Sequence, residues 1–89
     1  MKDTLPEDYV PVLPEDPEAA LNTLGVLEAQ KLKAESNFRT ASELRNRAVA
    51  EAVLRGDINT TRASIRMALS RQRLHEIKDA LLKTLRTAG

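Results

Sequence analysis

The positions of apolar residues along the chain predict four amphipathic helices. After Pro17, leucine and alanine recur every three or four residues, which is the spacing of one helix face. Asp16 can cap the start of this first helix, with Pro17 at the first helical position. We expect helix one over residues 17–37, with a break at residues 36–39. Gly25 lies within helix one and would let another helix approach closely.

A second apolar stripe follows a capping box. Thr40 can cap the backbone while Glu43, three residues later, reaches back to it. The spacing predicts helix two over residues 41–55, and Gly56 is placed to end it in a left-handed conformation. The buried stripe of helix two then consists of Leu44, Ala48, Val49, Ala52 and Val53.

The last third of the chain holds one or two further helices. Asn59 or Thr60 can cap a short helix three, and Ser70 can cap helix four over residues 71–86. Because no glycine or proline interrupts this stretch, one continuous helix over residues 61–86 is the alternative. Helix four carries an apolar stripe made of Leu74, Ile77, Leu81 and Leu85, with Leu82 beside it.

The N-terminal segment has a different character. All four prolines lie within residues 1–17, at spacings too short for a helix. We expect residues 1–16 to form an extended, polyproline-like arm that precedes a helical domain over residues 17–89. The arm is either disordered or laid along a groove of the protein or of a partner. Docking is favoured by its apolar residues, Leu5, Tyr9, Val10, Val12 and Leu13.

Composition indicates an all-α protein and excludes several classes of function. Strand-favouring residues are sparse, so a sandwich or barrel is not expected. The chain has no cysteine, which excludes disulfides and Cys-ligated metal sites. No apolar run reaches the roughly 18 residues of a membrane span, and the first residues lack an apolar signal segment. We therefore expect a cytoplasmic protein with no membrane partner.

The net charge is +1, but the charges are unevenly distributed along the chain. Residues 1–18 carry a net charge of −5, whereas residues 55–89 carry +5 with six arginines and two lysines. Guanidinium groups suit phosphate and guanine, so the basic third is expected to bind a polyanion; ordinary solvated surface is the alternative. The acidic arm could either mimic DNA and inhibit the chain or recruit a protein partner.

Residues 60–79 fit the packing rule of a helix-turn-helix, in which two helices cross after a tight turn. Small residues are required at the crossing and at the turn, where Ser64 and Ala68 stand. Alanine in a left-handed turn carries mild strain. The five apolar positions of the rule are filled by Ala63, Met67, Leu69, Leu74 and Ile77.

The same stretch resembles the helix-turn-helix of the factor-for-inversion-stimulation type, over roughly residues 48–80. The sequence departs from that family's pattern at Ser64, Ala68 and Arg73, and Gly56 matches the glycine before the motif. In register with the pattern are Asn59, Thr61, Arg62, Ala63, Met67, Leu69, Ser70, Arg71 and Leu74.

This resemblance implies a dimeric DNA-binding protein whose N-terminal helices dimerise. The second motif helix would enter the major groove. By the same resemblance, bases or phosphates would be contacted by Arg71, Arg73 and His75. The DNA backbone would lie near Asn59, Thr61 and Arg62.

A second resemblance is to the opening motif of the small terminase subunits of tailed phages, which also bind DNA through a helix-turn-helix. That family usually has Gly-Tyr at the turn, where this chain has Ala68 and Leu69. The resemblance is carried by Asp57, Asn59, Thr61, Ala63, Ile65, Arg66, Ala68 and Ser70.

We therefore predict a small dimeric DNA-binding protein, a transcriptional regulator or DNA-architectural factor of bacterial or phage type. It would be associated with the nucleoid. Helix four would enter the major groove of double-stranded DNA through its first turn, while helix three braces against the phosphate backbone. The predicted DNA-binding residues are Arg62, Arg66, Ser70, Arg71, Gln72, Arg73 and His75.

Neither catalysis nor a cofactor is predicted. His75 is the only histidine, and no phosphate-binding loop or metal-ligand spacing accompanies it. Surface ion pairs such as Glu43–Arg47 account for the helical carboxylates Glu28, Glu35, Glu43 and Glu51. The alternative class of function is a helical protein–protein adaptor without DNA binding, in which a fused helix over residues 61–86 docks its leucine stripe on a partner.

Overall fold

The computed structural model describes residues 9–34 and 38–88, with side chains except at residue 38 and residues 86–88. These residues form four helices, and none of them lies in a strand, which confirms the all-α prediction. Helix α2 packs against α4 and α1, and α3 packs mainly against α1. The helices are α1 (Pro17–Lys33), α2 (Phe38–Leu54), α3 (Thr60–Met67) and α4 (Arg71–Ala88).

Three helices begin at the predicted capping residues. The side chains of Asp16, Asn59 and Ser70 each accept a backbone N–H three residues later, at 2.9, 3.0 and 3.0 Å. Thr60, the other candidate for α3, is already its first helical residue. Each such cap is worth about 1 kcal/mol, so these local signals fix where α1, α3 and α4 start.

The boundary between the first two helices differs from the prediction. Helix α1 ends at Lys33, four residues early, because Ala34 takes an extended conformation with φ −71° and ψ 124°. The capping box is wrong, since α2 begins upstream and Thr40 is its third residue. Glu43 instead pairs one turn back with Arg39, at 3.3 Å, which supports the longer helix. Residues 36 and 37 of the predicted break lie outside the described residues.

Gly56 does not end α2 in a left-handed conformation, because no glycine in the described ranges has a positive φ. The helical hydrogen bonds run on to Arg55, whose N–H donates to the Glu51 carbonyl at 2.8 Å. The Arg55 guanidinium then holds Asp57 at 2.9 Å, and Ile58 enters the core with 5% exposure. These side-chain anchors turn the chain without the backbone freedom of glycine.

The turn between α3 and α4 is left-handed at an alanine. Ala68 has φ 57° and ψ 38°. Its N–H donates to the Ile65 carbonyl at 3.2 Å and that of Leu69 donates to the Ser64 carbonyl at 3.0 Å, which is a Schellman motif. A left-handed alanine costs about 1–2 kcal/mol, which this motif and the packing around it offset. The alternative of one continuous helix over residues 61–86 is therefore wrong.

The core lies where the four helices and the arm meet. Leu82 is buried, whereas Leu81 and Leu85 of the predicted α4 stripe are only half-buried. No helix in the described part of the chain is long and apolar enough to cross a bilayer. The connected core consists of Leu13, Ala20, Leu21, Leu24, Ala48, Val49, Ala52, Ile58, Ala63, Met67, Leu74 and Ile77.

The described part of the arm lies against α2. Residues 9–16 contain no helix, and Leu13 is buried in the core with 6% exposure. Val10, by contrast, is 69% exposed, so docking does not extend to every apolar arm residue. Leu5 lies outside the described residues. Of the two alternatives for the arm, this segment takes the groove on its own chain.

Candidate nucleic-acid interface

Helices α3 and α4 with the turn between them form the surface that the sequence assigned to DNA. Of the five apolar positions of the helix-turn-helix rule, four are at most 4% exposed and Leu69 is half-buried. The apolar inner faces of the two helices are therefore buried, as the rule requires. The Schellman motif at Ala68 ends α3, and the Ser70 cap starts α4 three residues later. This fixes the first turn of α4 relative to α3.

The first turn of α4 presents donor side chains to solvent. Arg71, Gln72, Arg73 and His75 are all exposed. Arg73 lies 3.7 Å from the Glu76 carboxylate, an exposed pair on its own helix. Within residues 9–34 and 38–88, no side-chain hydrogen bond holds Arg71 or Gln72. This turn can therefore offer guanidinium and amide groups to a polyanion without breaking a buried contact.

Ser70 caps the same turn of α4. Its Oγ accepts the N–H of Arg73 at 3.0 Å, which leaves its own hydroxyl proton for an outside acceptor. The other N–H groups of the first turn of α4 lack intrahelical acceptors, as at any helix start. The exposed start of α4 is therefore also a weak attractor for anions.

The two arginines predicted to anchor phosphates are both engaged with α1. Arg62 makes a two-pronged bond to the Glu18 carboxylate, with Nη2 3.1 Å from Oε2. Arg66 donates from Nη1 to Asn22 Oδ1 at 2.7 Å. Each pair is one helical turn from the other on both helices. These contacts form a polar seam between α1 and α3, which sequence reasoning missed because the partners lie 44 residues apart.

Gly25 lies at the same seam. A Cβ at this position would stand 3.1 Å from Cγ of Arg66, tighter than nine in ten Cβ contacts. The predicted close approach at Gly25 is thus confirmed, and the aliphatic stem of Arg66 is the group that approaches. The stem packs on α1 while the guanidinium remains at the surface.

The electrostatics of the seam follow from the exposed Arg62–Glu18 pair. The Arg62 hydrogen bond holds the pKa of Glu18 below its ordinary value, and Glu18 raises the pKa of Arg62. Because the folded pKa of Glu18 is depressed, the bridge stabilises the fold above the ordinary glutamate pKa. That contribution is lost as the pH falls through the lowered value.

Two carboxylates that the sequence placed in surface pairs are buried. Glu28 is 6% exposed and lies beside buried Arg45, and Glu51 is 4% exposed beneath the arm. The sequence paired Glu43 with Arg47. In the structure Arg47 instead donates to the Val10 carbonyl in the arm, and Glu43 pairs with Arg39. Glu35 lies outside the described residues. Among the side chains that the structure describes, no three acidic or histidine groups are placed to hold a metal.

Comparisons with known proteins return no match, whether with family models, with curated proteins or with solved structures. What α3, the turn and α4 can bind is therefore inferred from their own geometry.

Proposed function

We propose that this protein binds double-stranded DNA through α3 and α4, as a small regulator or architectural factor of bacterial or phage type. One observation carries the proposal. The left-handed turn at Ala68 ends α3. The first turn of α4 that follows exposes the side chains of Arg71, Gln72 and Arg73. A short helix, a tight turn and a second helix with an exposed polar start are the parts of a major-groove reader.

Each side chain of that turn has a definite role in the proposal. Arg71 and Arg73 donate in forks to guanine or phosphate, and Gln72 can pair with adenine. Each bidentate base contact contributes about 1–3 kcal/mol of discrimination between base pairs. Arg73 exchanges its Glu76 contact for DNA, and the exchange is easy because the pair is solvent-exposed. His75 follows one turn on and faces solvent beside them.

A dimer would double this surface. Two copies of α4 about 34 Å apart would meet successive turns of the major groove. We include the homodimer in the proposal because the eight-residue helix α3 and the first turn of α4 from a single copy offer few contacts for specific binding.

The test is the salt dependence of binding to a random-sequence duplex pool, followed by fluorescence anisotropy. Wild type is expected to bind at low salt, with an affinity that falls steeply as salt rises. The Arg71→Ala/Arg73→Ala variant is expected to lose at least tenfold in affinity. Its slope of log affinity against log salt should be shallower by about 2 for each bound copy, roughly one for each phosphate contact removed, and therefore by about 4 for a dimer.

The control removes the same charge elsewhere. Lys33 and Arg39 are exposed at the end of α1 and the start of α2, outside α3 and α4, and Lys33→Ala/Arg39→Ala lowers the net charge equally. This control should retain most of the wild-type affinity. Equal losses in the two variants would mean that only net charge matters. No binding of wild type at low salt would overturn the proposed function.

Glu18 provides a second test of the same surface. If Arg62 contacts a phosphate, it must leave Glu18, so Glu18→Gln should raise DNA affinity about two- to fivefold, the range of an exposed ion pair. The matched control is Glu43→Gln, which removes the same charge from the Arg39 pair on α2. If DNA affinity rises only in Glu18→Gln, Arg62 contacts DNA. An equal rise in affinity in both variants would mean that only the net charge of the protein has changed its binding, and that Arg62 has no specific role.

A further inference from the structure

Buried polar side chains of α1 and α2 meet at the contact between Glu28 and Arg45. Glu28 of α1 is 6% exposed and Arg45 of α2 is 5% exposed. Ser42 lies one helical turn from both Arg45 and Asn46, so these three side chains share one side of α2. We call Glu28, Ser42, Arg45 and Asn46 the polar layer.

Several side-chain atoms of the polar layer are enclosed and form no hydrogen bond with the described residues. They are Nε and Nη1 of Arg45, Oε2 of Glu28, Oγ of Ser42 and Oδ1 of Asn46. An enclosed polar atom without a hydrogen bond has lost its hydration with no compensation, so folded proteins rarely retain one. The concentration of these atoms in one small group of side chains therefore points to a bound molecule.

The ion pair at the centre of the polar layer does not close into a direct hydrogen bond. Arg45 Nε lies 4.0 Å from Glu28 Oε1, beyond hydrogen-bond range. Lys31 Nζ lies 3.9 Å from the same oxygen, so neither cation reaches hydrogen-bond distance of it. A polar contact of this length is typical of two groups that are bridged by water.

The mixture of donors and acceptors defines the chemistry of the bound molecule. The Arg45 guanidinium only donates and an ionised Glu28 carboxylate only accepts, whereas the Ser42 hydroxyl does both. An anion would suit Arg45 but would be repelled by Glu28, and a cation would meet the opposite difficulty. The molecule must therefore be small and neutral, and it must both donate and accept hydrogen bonds. Water has these properties, and a buried water makes about three such bonds.

We propose that the polar layer is a binding site for internal water, which bridges the Arg45 guanidinium to the Glu28 carboxylate. Because one buried water makes about two to four hydrogen bonds, the unpartnered atoms of the layer require at least about two molecules. The water joins α1 to α2 through a hydrated ion pair and lets both charges remain in the interior. This inference does not rest on DNA binding.

The first test detects the water beside Arg45 in the ¹⁵N-labelled wild type. In a ROESY spectrum the Nε–H proton of Arg45 should show a cross-peak to water whose sign is opposite to that of the diagonal, which indicates direct dipolar contact. The control is the Nε–H proton of Arg39, whose side chain is 94% exposed. It should show only chemical exchange, which has the sign of the diagonal. No dipolar cross-peak at Arg45 would overturn the proposal.

The second test counts the internal waters by the relaxation dispersion of water oxygen-17, which does not respond to exchanging hydroxyl protons. Glu28→Leu/Arg45→Met removes both charges and retains apolar volume, so the wild type should hold about two more long-lived waters than this variant. The matched control is Glu18→Leu/Arg62→Met, which removes an exposed ion pair and should leave the count unchanged. Equal counts in the wild type and in Glu28→Leu/Arg45→Met would contradict the proposal.

A titration distinguishes water from a bound anion. As chloride replaces the bulkier acetate at constant ionic strength, the Nε chemical shift of Arg45 should stay as constant as that of Arg39. A saturable change in shift at Arg45 alone would show that the polar layer binds chloride, and the assignment to water would then be wrong.

Discussion

Leu74→Ala is expected to lower the free energy of unfolding by about 2–5 kcal/mol, the range for a leucine deleted from a packed core. Leu74 is 1% exposed and is among the largest fully buried side chains. It lies in α4, the helix that packs most extensively on α2. Domains of this kind have only about 5–15 kcal/mol of stability in total, so this one change threatens the whole fold.

Urea unfolding followed by circular dichroism measures the effect. The midpoint should fall while the slope with urea stays constant, because the surface exposed on unfolding hardly changes. Leu32→Ala is the matched control, since Leu32 is 73% exposed on α1 and its truncation should cost less than about 0.5 kcal/mol. If both variants lose equal stability, the assignment of Leu74 to the core is wrong.

Glu28→Leu is expected to destabilise the protein by about 3–5 kcal/mol, because it leaves the buried Arg45 charge without its counterion. The two side chains are 6% and 5% exposed, and Arg45 Nε lies 4.0 Å from Glu28 Oε1. Burial lowers the pKa of Arg45, the direction expected of a charge that lacks solvation. Within the described residues, Arg45 Nε and Nη1 and Glu28 Oε2 make no hydrogen bond.

The double variant Glu28→Leu/Arg45→Met separates this explanation from simple loss of packing. It removes both charges and retains apolar volume, so its stability should return to within about 1 kcal/mol of wild type or exceed it. Urea unfolding of wild type, both single variants and the double variant gives the coupling energy. A double variant that is less stable than Glu28→Leu alone would show that the ion pair is not the cause.

The local signals of the sequence predict the starts of three helices. Asp16, Asn59 and Ser70 act within three residues of themselves, so no knowledge of the fold is required. The same locality explains the failure at Thr40, where a capping pattern stands inside a longer helix. A pattern shows that a residue can cap a helix. Whether the helix starts there depends on what packs upstream.

The polar contacts that join distant segments could not be predicted from the sequence. Glu51 resembles any helical surface glutamate, and only the fold places two arm N–H groups on its carboxylate. The seam of Arg62 and Arg66 with α1 depends on the crossing of two helices far apart in sequence. The exposed face of α4 was easier to predict, because helical periodicity separates Arg71 and Arg73 from Leu74 within a single turn.

The arm's contacts with α2 determine when this fold can close during synthesis. Val12 lies 39 residues before Glu51, so at 5–20 residues per second the arm emerges roughly 2–8 s before its binding site has been made. The α1–α3 seam has an even longer sequence separation. The elements in the described part of the chain are all helices. Their packing nevertheless requires segments that are synthesised later. We expect the early arm and α1 to remain unpaired on the ribosome until α2 and α3 have emerged.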